Sequence, residues 1–213
     1  RNAALTNYLL KNPNTFLKTH SAFHTLNNIS YFDSKITGII VYIIRDPRDI
    51  VISAAHHNLG SALFKKNKLG ANGLVGDKEL QFIFEQMCNS NEWLKSPSGI
   101  KTHLSAWDMH VNSFKQVSEK LHLIRYEDLL LDTNICINEL INRIIGKSDK
   151  EKVSRAIKHS TFSNLKEDEE NNTKYANFIR EGKSGVWKNY SNSDVFKKIE
   201  KKFGSTMAEH GYL

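Results

Sequence analysis

Cysteine, proline and long apolar runs are scarce in this chain of 213 residues. Its two cysteines, Cys88 and Cys136, lie far apart in the sequence, so we expect reduced thiols rather than a disulfide framework. No apolar run approaches the roughly 20 residues that a membrane-spanning helix needs, and no basic-then-apolar signal opens the sequence. There is no internal repeat and no Pro-rich or low-complexity tract. These absences predict one globular, cytoplasmic domain without a membrane span.

The charge balance is basic, with a formal net charge of +7. Such a balance permits an anionic ligand, nucleic acid or an acidic surface. The lysines are scattered, however, and a nucleic-acid-binding protein needs a clustered basic face with aromatic residues between the charges. No cluster of ligands has zinc-like spacing. We therefore predict neither a nucleic-acid partner nor a metal site.

Apolar runs alternate with segments of helical period, which indicates an α/β fold with a parallel sheet. Strands are predicted at 15–19, 39–44 and 121–126. Helices are predicted at about 1–10, 47–58, 78–89, 100–118, 133–146, 149–158 and 194–209. The stretch from Ser148 to Glu151 has the capping-box pattern of a helix start. Loops are predicted at 58–76 and 166–174.

The strongest strand, 39–44, runs directly into a dense group of charges, RDPRD. Asp46 suits the N-cap of a following helix, Pro47 its first position and Asp49 its third. The group is therefore predicted to be a strand-to-helix turn. Open parallel sheets bind ligands at the carboxyl ends of their strands, and helix N-termini favour anions.

Arg45 lies at this turn, and Ser53 lies about two helical turns further on. Both side chains can reach one phosphate, the arginine through a charged fork and the serine through its hydroxyl. The alternative is that Arg45 pairs with Asp46 or Asp49 and only closes the turn. Local geometry leaves both interpretations open.

The stretch YIIRDPRDIVIS resembles the 3′-phosphate-binding motif of the cytosolic type of PAPS-dependent sulfotransferases. These enzymes transfer a sulfuryl group from 3′-phosphoadenosine 5′-phosphosulfate (PAPS) to a hydroxyl or amine and release 3′-phosphoadenosine 5′-phosphate (PAP). The family pattern is an apolar strand, Arg-Asp/Asn-Pro-Arg/Lys-Asp and a serine eight residues after the arginine. The resemblance implies that Arg45 and Ser53 hold the 3′-phosphate.

The stretch FLKTH, residues 16–20, resembles the Lys-Thr-His strand end that the family places before this motif. The resemblance implies that His20 is the general base and that Lys18 lies near the transferring sulfuryl group. An acceptor hydroxyl needs a base, and a fixed ammonium stabilises the developing charge. A second KTH, at 101–103, follows the phosphate motif in a helical pattern. We therefore interpret His103 as a packing or substrate-lining residue.

Two further stretches resemble family segments that surround the nucleoside. LHLIRYEDLL implies that Tyr126 approaches the nucleotide, although a tyrosine that caps the sheet would look the same. HSTFSNLK implies that Ser160 and Phe162 contact the adenine, on which an aromatic ring can stack. The alternative for Phe162 is a place in the core.

The stretch FIREGKSGVWKNY, residues 178–190, resembles the family segment Arg-Lys-Gly…Gly-Asp-Trp-Lys. It implies that Arg180 and the backbone of Gly182 hold the 3′-phosphate. Glu181 stands at the cofactor-binding position where lysine is usual, and Val186 stands where aspartate is usual. Either the negative charge of Glu181 weakens cofactor binding, or its side chain points away from the phosphate.

The resemblance extends over residues 1–213 as a single domain, with the middle matched only in its helical layout. It implies a P-loop-NTPase-like three-layer α/β fold, in which helices flank a central parallel sheet. PAPS is then the donor, PAP the product, and a small molecule, glycan or lipid the acceptor. The family often forms homodimers through a short C-terminal motif, to which no segment of this chain is assigned.

Two family features have no counterpart in the sequence, the first strand and the phosphate loop that follows it. No Gly-rich loop precedes Gly38, and no Walker-type motif occurs. Either the sequence begins beyond that loop, or the chain cannot activate the donor. We favour the first explanation because the other motifs are largely kept. The alternative function is a non-catalytic PAP-binding module.

Overall fold

The structure, a computed structural model, describes residues 11–12, 15–23, 25–26, 29–30, 37–59, 75–89, 93–95, 101–103, 105–161, 163–165, 167, 182–190 and 193–213. The predicted helix at 1–10 and most of the predicted loops at 58–76 and 166–174 lie outside these residues. The chain divides into two compact units, Arg1–Val41 with Met87–His122 and Tyr42–Gln86 with Leu123–Leu213.

The described residues form six strands, seven α-helices and two 3₁₀ helices. In chain order they are β1 (Thr25–Leu26), β2 (Ile29–Ser30), β3 (Ile40–Ile44), α1 (Pro47–Leu59), α2 (Asp77–Cys88), β4 (Trp93–Lys95), β5 (Lys101–His103), α3 (Trp107–Ser113), a 3₁₀ helix (Phe114–Lys120), β6 (Leu121–Arg125), α4 (Tyr126–Leu131), α5 (Thr133–Ile145), α6 (Lys150–His159), a second 3₁₀ helix (Val186–Tyr190) and α7 (Asp194–Glu209).

The first unit contains two short antiparallel pairs, β1 with β2 and β4 with β5. Among its described residues, most of the buried ones come from the segment before β1 and from Ala106, α3 and the 3₁₀ helix that follows. The Phe23 and Phe114 rings lie 6.3 Å apart, and the Phe23 amide donates a 2.9 Å hydrogen bond to Ser113 Oγ. These contacts attach residues 15–23 to α3.

The second unit is organised around the pairing of β3 with β6, which forms a parallel sheet, and the division between the units falls within these two strands. Helix α1 follows β3 and buries Val51, Ile52 and Ala55. Helix α7 buries residues at helical spacing along one face, which include Ile199, Phe203 and Met207. Together the strands and helices form an α/β fold.

Most of the predicted helices and two of the three predicted strands are confirmed, and their ends follow from capping chemistry. Ser193 Oγ accepts the Val195 amide at the start of α7, and Asp132 Oδ1 accepts the Ile135 amide at the start of α5. Helix α5 ends at Gly146, whose φ of +78° suits a residue without Cβ.

The structure corrects four predictions. Residues 15–19 are not a strand; Phe16 is 83% exposed there, so no sheet covers it. The segment 100–118 is not one helix, because 101–103 is strand β5 and helix α3 begins only at Trp107. Strand β6 ends at Arg125, and Tyr126 begins α4. Helix α6 is capped by Asp149, which accepts the amides of Glu151 and Lys152, and Ser148 instead bonds to α5.

Of the helices that the structure describes, none has both the length and the apolar character to cross a bilayer.

Candidate functional site

The RDPRD turn has the predicted geometry at its start. Asp46 is the N-cap of α1, because its main-chain oxygen accepts the amides of Asp49 and Ile50 at 3.0 Å. Its Oδ1 accepts the Arg48 amide at 2.9 Å, and Pro47 occupies the first helical position. The turn is therefore fixed by its own sequence.

Arg48, the second arginine of the turn, is only 6% exposed and fully engaged. Its guanidinium bonds to Asp46 Oδ2 at 2.8 Å, to Glu200 Oε1 at 2.6 Å and to the Tyr212 carbonyl at 2.6 Å. It also lies 3.9 Å from the centre of the Trp187 ring. Burial opposes the charge of Arg48, but the hydrogen bonds and charges of Asp46 and Glu200 outweigh it and raise the guanidinium pKa above its ordinary value. Arg48 is thus a structural centre that joins α1, α7 and the C-terminal segment.

Asp49 does not close a local capping box. Its Oδ2 accepts the Gly185 amide at 2.6 Å, and its Oδ1 accepts the Trp187 amide at 3.0 Å. The amide of Asp46 donates instead to Glu127 Oε1, at 3.1 Å. Asp49 therefore attaches the segment 182–187 to the first turn of α1.

Arg45 lies where β3 ends and is partly buried, with 20% of its side chain exposed. Its Nη2 donates a 3.0 Å hydrogen bond to the Lys183 carbonyl and lies 3.8 Å from Asp49 Oδ2. The guanidinium stacks 4.3 Å above the centre of the Tyr126 ring. Its Nε is buried and has no hydrogen-bond partner among the residues that the structure describes. Part of this guanidinium is thus engaged in closing the turn, and part has donor capacity left for an anion.

A second group of contacts fixes the end of β6. Tyr212 Oη donates to Glu127 Oε2 at 3.0 Å, and the Arg125 guanidinium lies 4.8 Å from the centre of the Tyr212 ring. Burial and the negative charge of Glu127 raise the pKa of Tyr212 above its ordinary value, although Arg125 opposes them. An open cavity of about 450 Å³ adjoins this group and has both acidic and basic residues in its lining. Its acidic members bond to neighbouring donors, so the lining is not a simple cationic pocket.

Three of the predicted cofactor-binding positions come together in the second unit. Arg45 contacts Tyr126 directly and bonds to Lys183, the residue after Gly182. Gly182 has a φ of +59°, which suits a residue without Cβ. Ser53, a fourth predicted position, is half-buried on α1, and no observed contact among the described residues joins it to the other three.

The remaining cofactor-binding predictions are not joined to this group by an observed contact. Ser160 is exposed at the end of α6, where its amide bonds to the carbonyls of Ala156 and Ile157 in its own helix. Phe162, Arg180 and Glu181 lie outside the described residues.

The predicted catalytic pair lies in the first unit. Lys18 and His20 are both exposed, on a segment that has no regular secondary structure. Thr19 Oγ1 accepts the Ser21 amide at 3.0 Å, and His110 Nε2 lies 3.2 Å from the His20 carbonyl. These contacts hold the backbone of the segment and leave both functional side chains exposed.

Sequence reasoning missed the residues that hold the site together. The sequence pattern indicates Asp49 as the third residue of a helix or as an ion-pair partner of Arg45, and it assigns no role to Arg48. The pattern Gly-x-Trp at 185–187 resembles a family segment, but nothing in it identifies the acceptor of its two amides. Only the fold reveals that this acceptor is Asp49, which lies 136 residues before Gly185 in the chain.

Comparison with known proteins assigns the chain to a family. A family model described as the sulfotransferase domain matches residues 3–211, so the chain belongs to the sulfotransferase family. It is 27% identical over 192 residues to sulfotransferase 2A1 of Macaca fascicularis and, to the same degree, to that of Homo sapiens. Each match covers 84% of this chain and 59% of the relative, so the chain spans about three fifths of the length of these curated proteins.

Solved structures support the same assignment. A retinol dehydratase in complex with androsterone and inactive cofactor PAP is 25% identical, with a TM-score of 0.57 over 79% of this chain and 47% of that one. Mouse SULT7A1 complexed with PAP is 16% identical, with a TM-score of 0.59 over 80% of this chain and 58% of that one. The second similarity is one of fold alone.

Proposed function

We propose that this chain carries the 3′-phosphate site and the catalytic pair of a PAPS-dependent sulfotransferase. One observation supports the proposal above the others. Arg45 stacks on Tyr126, bonds to the residue after Gly182, and keeps a buried Nε without a partner among the described residues. An unpartnered buried donor is costly, and one fifth of the Arg45 side chain is exposed, so a phosphate can approach the same guanidinium.

The residues of the second unit fit the phosphate end of the nucleotide. Arg45 supplies a guanidinium that can bond a phosphate with more than one N–H. Gly182 supplies a backbone amide on a segment whose glycines permit a close approach to the ligand. Tyr126 stacks against the Arg45 guanidinium and so helps to fix its orientation. Ser53, Ser160, Phe162 and Arg180 complete the proposed nucleotide contacts, and Glu181 is assigned to the same set by the family resemblance alone.

The residues of the first unit carry the chemistry. When bound, PAPS supplies the sulfuryl group, whose bond to the acceptor oxygen forms as its bond to the 5′-phosphate breaks and PAP leaves with that electron pair. His20 takes the proton of the acceptor hydroxyl, which makes the oxygen a better nucleophile. Lys18 stabilises the negative charge that develops on the transferring group.

The acceptor is proposed to be a small molecule with a hydroxyl group. Relatives of this chain include a 3-beta-hydroxysteroid sulfotransferase of Cavia porcellus, and the retinol dehydratase structure holds androsterone. A hydroxysteroid is therefore the first acceptor to test, with a simple phenol and a primary amine beside it.

The test is transfer of ³⁵S-labelled sulfuryl from PAPS to these acceptors by the purified chain. Label in the acceptor, and its loss in Lys18→Ala and His20→Ala, would support the proposal. If PAP binds but no acceptor is labelled, the chain is a PAP-binding module. Absence of both PAP binding and transfer would contradict the proposal.

A further inference from the structure

The contacts of Asp49 differ from those of an ordinary helix-start aspartate. Its side chain is 0% exposed, and its two oxygens bond to two backbone amides on a segment 136 and 138 residues further along the chain. A buried carboxylate that accepts two amides fixes the position of both, because charge-assisted hydrogen bonds are short and directional. Asp49 therefore fixes a segment that is distant from it in sequence.

The same segment has a second attachment. Arg45 Nη2 bonds to the Lys183 carbonyl at 3.0 Å, two residues before the first amide that Asp49 holds. Gly182 and Gly185 have φ values of +59° and +73°, which direct the backbone sharply on either side of Lys183. The segment 182–187 is thus held at two points by the turn between β3 and α1.

We propose that Asp49 is a positioning residue for the 3′-phosphate site. It holds the segment 182–187 at the distance from Arg45 at which the Gly182 amide and the Arg45 guanidinium converge on one phosphate. Asp49 itself does not touch the phosphate, since two like charges would repel. This inference rests on the proposed function, because it assigns a role within the same site.

Two other roles for Asp49 make different predictions. Asp49 Oδ2 lies 3.8 Å from Arg45 Nη2, close enough to offset its charge. If that were its main effect, Asp49 would compete with the phosphate, and removing its charge would tighten binding. If Asp49 served the fold alone, folded variants would keep the selectivity of the wild-type chain.

The experiment measures recognition of the 3′-phosphate alone. PAP and adenosine 5′-phosphate (AMP), which lacks that phosphate, are titrated calorimetrically into wild type, Asp49→Asn and Asp49→Glu. The ratio Kd(AMP)/Kd(PAP) reports the contribution of the 3′-phosphate. We expect each variant to lower this ratio by about tenfold, roughly the loss of one charge-assisted hydrogen bond. Asn offers one oxygen to two amides, and Glu keeps the charge but is longer by one methylene.

A matched control is Asp128→Asn, an exposed aspartate of the same unit that lies 3.9 Å from Arg125. It should leave the ratio unchanged. A wild-type chain without preference for PAP over AMP would overturn the proposed function and the inference with it. If wild type prefers PAP and Asp49→Asn keeps or raises the ratio, only the positioning role is overturned.

Hydrogen exchange of the wild-type chain provides a test that needs no variant, should both substitutions prevent folding. The amides of Gly185 and Trp187 should be protected before any ligand is added, because Asp49 already holds them. PAP should add protection at Gly182, and AMP should not. Equal protection by both ligands would overturn the proposed function and the inference with it, whereas unprotected amides at 185 and 187 would overturn the positioning role alone.

Discussion

The turn between β3 and α1 differs sharply from the segment 15–23 in how its functional side chains are held. At the turn, Arg48 and Asp49 are 6% and 1% exposed and bond to partners more than 130 residues away. On the segment 15–23, Lys18 and His20 are exposed, and its observed contacts hold the backbone alone. The residues that hold the proposed phosphate site in place are therefore buried, whereas the proposed catalytic pair is presented on the surface of its unit.

This difference implies that different substitutions can impair stability and turnover separately. Changes at the turn should cost stability, because they leave buried charges without partners. Changes at Lys18 and His20 should cost turnover with little effect on stability, because no buried contact of their side chains is lost. The predictions below test that separation.

The largest effect is expected for His20→Ala. Turnover with PAPS should fall roughly 10²–10⁴-fold through loss of the general base. The PAP affinity and the melting temperature should stay at wild-type values, because the side chain is exposed. His122→Ala, in β6, is the control and should keep its turnover per folded molecule. A variant of His20 with normal turnover would contradict the assignment of the base.

Arg48→Ala should cause the largest loss of stability. It leaves Asp46 and the Tyr212 carbonyl without their guanidinium partner, so the free energy of unfolding should fall by about 3–5 kcal/mol. Denaturation in urea measures this loss. Lys197→Ala is the control, because the Lys197 side chain is 81% exposed in its pair with Asp194. Its removal should lower the free energy of unfolding by only about 0–1 kcal/mol. Equal effects of the two substitutions would refute the central role of Arg48.

Gly185→Ala should lower the free energy of unfolding by less than Arg48→Ala does. A Cβ at this position meets only Lys188 Cε, at 3.9 Å, so space is available. The φ of +73° is left-handed, however, and should cost about 1–2 kcal/mol for alanine. Gly38→Ala is the control, because nothing lies within 4 Å of its Cβ and its φ is not left-handed. A neutral Gly185→Ala in urea denaturation would mean that the segment relaxes at no cost.

The smallest effect is a pH dependence at Tyr212. Burial first, and then the charge of Glu127, raise the pKa of its hydroxyl. The folded chain therefore keeps a proton that the unfolded chain loses above about pH 10, and stability should fall as the pH rises beyond that value. Urea denaturation between pH 8 and 11 should show a shallower fall in Tyr212→Phe. Tyr42, whose pKa burial also raises, contributes the same sign, so a residual slope is expected.

Local patterns were sufficient to predict the turn and most of the helices. Asp46 and Pro47 specify the start of α1 by themselves, and the apolar spacing of α7 predicts its bounds of 194–209. The prediction of a strand at 15–19 is wrong because the apolar residues of that segment are exposed. The prediction of one helix at 100–118 is wrong because residues 101–103 pair with β4. In both segments, tertiary contacts determine the conformation.

The partners within the site could not be predicted from local sequence. Arg45 and Arg48 belong to one motif, yet their guanidinium groups are engaged differently. Arg48 is buried and bonds to Glu200 and other partners, whereas Arg45 Nε has no hydrogen-bond partner among the described residues. That difference depends on Glu200, Tyr212 and Lys183, which are distant in sequence. Family resemblance identified the residue types, and the fold determines which of them are already engaged.

The most direct test of the account is calorimetric titration of PAP into wild type, Arg45→Ala and His20→Ala. The account predicts that wild type binds PAP and that Arg45→Ala binds it about 10–100-fold more weakly, through loss of a charged hydrogen-bond donor. His20→Ala should bind PAP as wild type does. Equal affinity of wild type and Arg45→Ala would mean that Arg45 only closes the turn, and it would contradict the proposed phosphate site.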